Sequence, residues 1–403
     1  MIAANHTEML FVIVQQLSEG VQNYTLLAVP FFILAGNLMN ETGITDSIFG
    51  FAQKLVGHMR GGLAQVNVVA SMIFAGVSGA AVADVAGLGI IEIRAMEKKG
   101  YEKNYSAAIT LSSAIIGPLI PPSISMVVYA VVAQQSVGRL LLAGIVPGFL
   151  TGFSLMILNF IYSRKKGFFP PPEPKVSLKE ILYDFKTAFF ALMSPIIILY
   201  SLLGGFATAT EAGIIAFLYA LLVALVYQGP KKVIKILPKT FSASAKMSVM
   251  CLFIIATATA MGWFMARERV PEMLTNFILN YTNSRFTFIT LILILYILTG
   301  CVMDGNAAKI IMVPILLPIA RRFGVDPIWF GIITVYPLLL GILTPPVGVG
   351  LFIMTRVANI SFEDMVKSII PFYIPLTVVL IILSYFPGVW IWVPNLIMGP
   401  YMK

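Results

Sequence analysis

The sequence predicts an all-α polytopic membrane protein made of two related halves of inverted topology, each carrying a re-entrant helical hairpin and a broken helix. Three observations predict it. Of 403 residues, 59% are hydrophobic and only 11% charged, a composition outside the range of ordinary soluble domains. Two long apolar stretches are interrupted by a glycine and then a proline pair, Gly117-Pro118-Leu119-Ile120-Pro121-Pro122 and Gly341-Ile342-Leu343-Thr344-Pro345-Pro346. The breakers also recur at one offset (345 − 121 = 224): Gly76, Gly100, Gly117, Pro121, Pro122 and Pro147 pair with Gly300, Gly324, Gly341, Pro345, Pro346 and Pro371, the signature of an internal repeat.

In chain order, apolar runs long enough to enter or cross about 30 Å of hydrocarbon occupy residues 24–38, 106–132, 140–162, 188–203, 213–227, 248–265, 286–302, 329–354 and 369–389. With hairpins between them, roughly ten to twelve membrane elements are expected. The start, residues 1–8, is polar and lacks a basic region leading into a long apolar core, so it does not read as a secretory signal; the run at 9–14 is too short to span. Residues 164–184, with Pro170-Pro171-Pro172 and Pro174, form the one long polar linker and divide the halves. If an odd number of crossings follows it before the second copy, the copies insert upside down relative to each other.

Ahead of each proline pair lies a segment of small and polar residues, Gly76-Val77-Ser78-Gly79-Ala80-Ala81-Val82-Ala83-Asp84 and Gly300-Cys301-Val302-Met303-Asp304-Gly305-Asn306-Ala307-Ala308. Such a segment suits the tip of a hairpin that enters the membrane and turns back; close small-residue helix packing is the plainer alternative. Each proline removes a donor and clashes with the preceding turn, freeing backbone groups where lipid cannot hydrogen-bond them. Sodium, a hard cation without strong geometric demands, fits backbone carbonyls and hydroxyls. The first cage would join Ser78 and Gly79 to Gly117, Pro118 and Ile120; the second would join Gly300 to Gly341, Thr344 and Pro345. Water or neighbouring hydroxyls would satisfy the same carbonyls in a non-ionic alternative.

Asp84 and Asp304 each precede a helical run, where capping is the simpler role and proton titration the alternative. Asp304 is also a candidate to meet solute. Ser123, Ser125, Thr355 and Arg356 follow the breaks and are candidates for a solute cavity, with the water interface an equal fate for the arginine. Glu211, in Thr208-Ala209-Thr210-Glu211, fits a capped first helical turn.

The net charge of +9 sits in short blocks between apolar runs, such as Arg164-Lys165-Lys166 and Lys231-Lys232. That pattern is membrane topology with basic cytoplasmic loops, not a nucleic-acid surface. Lys98, Lys99 and Lys103 are expected on the same side. Cys251 and Cys301 show no metal-ligand spacing and read as packing residues. Gly76-Val77-Ser78-Gly79 resembles an intramembrane serine-protease motif, but the only histidines, His6 and His58, lie in a polar terminus and an interfacial stretch, so the chain is not read as an enzyme. Nor is there a phosphate-binding loop for ATP.

Taken together, the first hairpin segment, Gly100-Tyr101, Ser112 to Ser123, Met303-Asp304, Gly324-Val325-Asp326-Pro327 and Gly341 to Gly348 resemble the large membrane subunit of the tripartite ATP-independent periplasmic (TRAP) transporters. Thr208 to Ala212 and Pro30 to Gly36 extend the likeness to nearly the whole chain. The resemblance implies an elevator-type secondary transporter in a bacterial or archaeal cytoplasmic membrane. It would be driven by sodium and need no other cofactor. Two protein partners are implied, a small membrane subunit and a periplasmic substrate-binding protein that delivers a small organic acid. It implies a division into residues 1–61 (scaffold and arm helix, with the family's first helix missing ahead of it), 62–163 (first transport repeat, broken at 117–122) and 164–186 (cytoplasmic linker). Residues 187–284 (scaffold and arm helix) and 285–403 (second transport repeat, broken at 341–346) complete it. Ala80 stands where the family often has serine, and Pro337 where asparagine is common. A stand-alone anion symporter and, more distantly, a channel are the rival readings.

Overall fold

The computed structural model describes residues 10–22, 24–41, 44–164, 169–170, 172–174, 176–269, 273, 276 and 284–400. The polar start at residues 1–8, Lys165-Lys166, Pro171 and most of 270–283 lie outside the described residues. Every regular element among the described residues is helical. Ahead of the first repeat come α1 (Leu10–Glu19), α2 (Ala28–Glu41) and α3 (Ile44–Val56). The repeat itself comprises α4 (Leu63–Ser78), α5 (Ala81–Ala86), α6 (Leu88–Lys98), α7 (Lys103–Ala114), α8 (Ile124–Val132) and α9 (Val137–Tyr162). Three long helices follow, α10 (Leu178–Leu203), α11 (Ala209–Gln228) and α12 (Pro230–Arg267). The second repeat is α13 (Arg285–Val302), α14 (Gly305–Arg322), α15 (Pro327–Ile342), α16 (Val349–Ala358) and α17 (Phe362–Tyr385), with α18 (Gly388–Met398) at the end.

Five of these, α9, α11, α12, α13 and α17, are long and apolar enough to cross a membrane singly. The runs at 106–132 and 329–354 do not cross as single helices. Each is two pieces, α7 with α8 and α15 with α16, separated at the Gly-to-Pro-Pro segments. At 1.5 Å per residue, the 12 residues of α7 rise about 18 Å, so the break falls near mid-membrane. Both proline pairs are joined by cis peptide bonds.

The 224-residue offset survives in three dimensions. α4 ends at Ser78 and α13 at Val302 (302 − 78 = 224), α5 begins at Ala81 and α14 at Gly305, and α7 begins at Lys103 and α15 at Pro327. The copies run in opposite senses. Tyr129, near the end of α8, donates from its hydroxyl to the carbonyl of Pro327 at the start of α15, 2.6 Å away, so the first broken helix finishes where the second begins. Among the described residues three long helices, α10, α11 and α12, lie between the repeats; an odd number of crossings there would turn the second copy over.

Side-chain hydrogen bonds stitch the first repeat internally. Asn67 of α4 donates to Thr110 Oγ1 of α7 at 2.7 Å and accepts from Ser113 Oγ at 2.8 Å. Asn159 of α9 donates to the Ala64 carbonyl at 2.8 Å and accepts from the Tyr105 hydroxyl at 2.6 Å. All of these residues are buried, so each bond satisfies a group that would otherwise be costly inside the membrane.

Helices α11 and α12 both pack on α2. Asn37 donates to Ser244 Oγ at 2.9 Å, and Lys239 pairs with Glu41 at 3.1 Å. The linker folds back on the entrance to the first repeat. Lys99 pairs with Glu173 at 2.8 Å, Lys54 with Asp184 at 3.0 Å, and the Glu173 amide donates to the Gly57 carbonyl. The basic segment around Lys99 therefore shares one face with the linker. As expected, Thr208 and Glu211 form a reciprocal cap on α11: Glu211 N donates to Thr208 Oγ1, and Thr208 N donates to Glu211 Oε2 at 2.7 Å.

Candidate functional site

Each hairpin turns at a tip that rests on the broken segment of its own repeat. In the first, α4 ends because Gly79 takes a left-handed conformation, φ +64°, which glycine adopts without penalty. The Gly79 carbonyl accepts from Ile124 N at 3.3 Å. A Cβ on Gly79 would overlap the Pro122 carbonyl oxygen, so a bare backbone is required there. In the second repeat, Gly348 N donates to the Cys301 carbonyl at 2.9 Å. Gly79 thus meets the segment at Pro122 and Ile124, and the 300–301 backbone meets Leu338, Gly341 and Gly348.

The two contacts differ in detail. Gly300 and Gly341 touch through their backbones: a Cβ on Gly341 would sit 2.6 Å from Gly300 Cα, and one on Gly300 would sit 2.7 Å from the Leu338 carbonyl oxygen. These glycines let α13 and α15 pack at close range. Thr344 Oγ1 donates to the Leu340 carbonyl at 2.7 Å and its amide to the Gly341 carbonyl at 2.9 Å, while Pro345 is half-buried. In the first repeat, Gly76 instead faces Pro195 of α10, and Gly117 faces the carboxylate of Asp84. The Ile120 amide donates to Ile116, and the Pro118 carbonyl accepts from Ser123 Oγ.

Asp84 departs from the capping expectation. It lies inside α5, 2% exposed, and accepts a hydrogen bond from Ser78 Oγ across the tip. The left-handed turn at Gly79 brings the short helix back beside Ser78, so the carboxylate, in the first turn of α5, is engaged by a side chain. Among the described residues, Asp84 Oδ2 has no hydrogen-bond partner, and neither has Oε1 of Glu92, also buried, one turn into α6. Asp304 does cap its helix: its Oδ1 accepts from Asn306 N at 2.8 Å and Ala307 N at 3.2 Å.

Between the two tips lies a cavity of about 80 Å³. The first repeat contributes Gly79, Ala80, Pro118 and Ser125; the second contributes Asp304, Asn306 and Lys309; Met247 of α12 closes one side. Of the solute candidates, Asp304 and Ser125 line it. Ser123 does not, since its hydroxyl accepts from Met126 N and donates to Pro118 O, which caps α8. Thr355 and Arg356 fall in the last turn of α16, with Thr355 Oγ1 bonded to the Phe352 carbonyl, and the structure does not bring them to this cavity. Lys309 is the lining residue that motif reading passed over. A lone lysine inside the apolar run 307–319 was its visible signal.

Comparison with known proteins agrees with this architecture. The family described as "Tripartite ATP-independent periplasmic transporter, DctM component" matches residues 1–389. The chain belongs to that family. It is 39% identical to the sialic acid TRAP transporter large permease protein SiaM of Vibrio cholerae, over 96% of this chain and 90% of that one. It is 38% identical to the C4-dicarboxylate TRAP transporter large permease protein DctM of Pseudomonas aeruginosa, over 94% and 88%. The YdaH transporter of Alcanivorax borkumensis shares the fold, with a TM-score of 0.68 at 12% identity over 95% of this chain and 89% of that one. This TRAP family member is accordingly a multi-pass membrane permease.

Proposed function

We propose that this chain is the large permease of a TRAP system that imports a small organic acid, using sodium held at the two hairpin–break contacts. The observation that carries the reading is the pairing, in two inverted copies, of a hairpin tip with a Gly-to-Pro-Pro break on either side of one cavity. Half-helix ends and unwound carbonyls at mid-membrane are the arrangement that secondary transporters use for ions and solute. A first cation fits beside Ser78, Gly79, Gly117, Pro118 and Ile120, where the unpartnered Asp84 Oδ2 supplies a negative oxygen. A second fits near Gly300, Gly341, Thr344 and Pro345.

The cavity between the tips receives the solute. Met247 lines it from α12, so the solute would sit where the repeats slide against a scaffold of α2, α3, α10, α11 and α12. That geometry supports an elevator movement of residues 62–163 and 285–403. Relatives named for sialic acid and C4-dicarboxylates support an organic acid as cargo, delivered in a cytoplasmic membrane by a periplasmic binding protein to a complex with a small membrane subunit.

Uptake into proteoliposomes holding both membrane subunits, with the binding protein outside, tests this. A sodium gradient is expected to drive accumulation. Undiminished accumulation with potassium in place of sodium and a proton gradient imposed would move coupling away from these contacts.

A further inference from the structure

Lys309 is only 2% exposed, yet it lines the cavity between the tips. Its ammonium group donates to the Ser125 carbonyl at 3.1 Å, which ties the second hairpin to the first broken helix. The ion pairs among the described residues join Lys54 to Asp184, Lys99 to Glu173, Lys103 to Glu97 and Lys239 to Glu41, so Lys309 lies within ion-pair distance of no described carboxylate. A buried cation is costly unless an anion joins it, and ionisable groups at membrane depth mark solute paths. Two further polar groups share the wall. Both cap bonds of Asp304 go to Oδ1, and the Asn306 side-chain oxygen is buried without a partner among the described residues.

We infer that Lys309 binds the carboxylate of the transported acid while Asp304 and Asn306 accept hydrogen bonds from its hydroxyl or amide groups, so that the site selects hydroxylated monocarboxylates over dicarboxylates. This rests on the transport reading above and adds the solute class. One cation matches one carboxylate. A second carboxylate would have to approach Asp304, and such like-charge juxtaposition is a strong basis for rejection. A hydroxyl or amide N–H instead satisfies the oxygens that the fold leaves open.

The test measures binding of free sialic acid and of succinate to the purified two-subunit membrane complex in sodium, by ligand-induced thermal stabilisation. Wild type should bind sialic acid more tightly than succinate. Lys309→Met should weaken sialic acid binding on the order of a hundredfold, the scale of removing one partner of a buried charge pair. Lys309→Arg should retain most of it. Asp304→Asn, which keeps a capping side chain, should bring succinate up by about tenfold relative to sialic acid.

Should Lys309→Met fail to assemble, Lys309→Gln, which keeps a donor for the Ser125 carbonyl without the charge, answers the same question. Unchanged binding in the neutral variant, wild type that binds neither probe, or wild type that prefers succinate would each overturn the inference. Uptake separates it from the transport reading. A wild-type complex that binds sialic acid but accumulates no solute sinks transport alone, whereas sodium-driven uptake with equal KM in wild type and the neutral variant sinks only the role of Lys309.

Discussion

At the scale of single residues, the glycines divide into two kinds that sequence cannot tell apart. Gly79 is needed for its positive φ and for the room it leaves beside the Pro122 carbonyl. Gly100 also has a positive φ, +88°, but open space around its Cβ position. Alanine at Gly100 is therefore expected to cost about 1 kcal/mol of stability and leave sodium-driven uptake intact. Alanine at Gly79 should abolish uptake and narrow the gap between melting temperatures in sodium and in choline. Equal uptake by the two variants would show that the first tip is not an ion site.

Gly300→Ala and Gly341→Ala should each destabilise by about 1–3 kcal/mol through overpacking of α13 on α15, and by more in sodium than in choline because the second ion contact is disturbed as well. An equal loss in the two salts would make these glycines packing residues alone and remove them from the second ion site. The breakers were legible because proline and glycine dictate backbone shape locally. Glu92 was not, since what makes it unusual is burial against other segments, and Lys309 showed only as a lone lysine within an apolar run.

At the scale of elements, the cap of α11 was legible as Thr208-x-x-Glu211, and a bidirectional cap formed. Thr208→Ala should cost about 1 kcal/mol, seen as a lower melting temperature, while Thr208→Ser should be near neutral; equal melting of the alanine variant would remove the cap from the account. The half-helices were legible too. Two prolines in sequence leave no continuous helix available, and α7 ends at Ala114 and α15 at Ile342, both ahead of the pair. Asp84 shows where such reading stops. An acidic residue ahead of an apolar run looks like a cap, but the left-handed turn at Gly79 folds it back onto Ser78, a contact set by the tip and not by the helix that follows. Ser123 was misplaced for a similar reason: its hydroxyl is held by the helix it begins.

At the scale of the whole molecule, the repeat was visible as an arithmetic offset, and helix boundaries reproduce it to within a residue or two. Its inversion was only conditional in sequence, because it depends on how many helices cross between the copies; Tyr129 reaching Pro327 resolves it. The salt bridges that fasten the linker, Lys99 to Glu173 and Lys54 to Asp184, join segments far apart in the chain and left no trace in local pattern.

The central claim is that both inverted copies hold a cation between hairpin tip and break. Cryo-electron microscopy of the full complex in sodium and in choline tests it most directly. Spherical density beside Gly79 and Pro118 and beside Gly300 and Thr344, present in sodium and lost in choline, is the predicted result. Identical maps in the two salts, with both tips closed on their breaks by protein contacts alone, would contradict it.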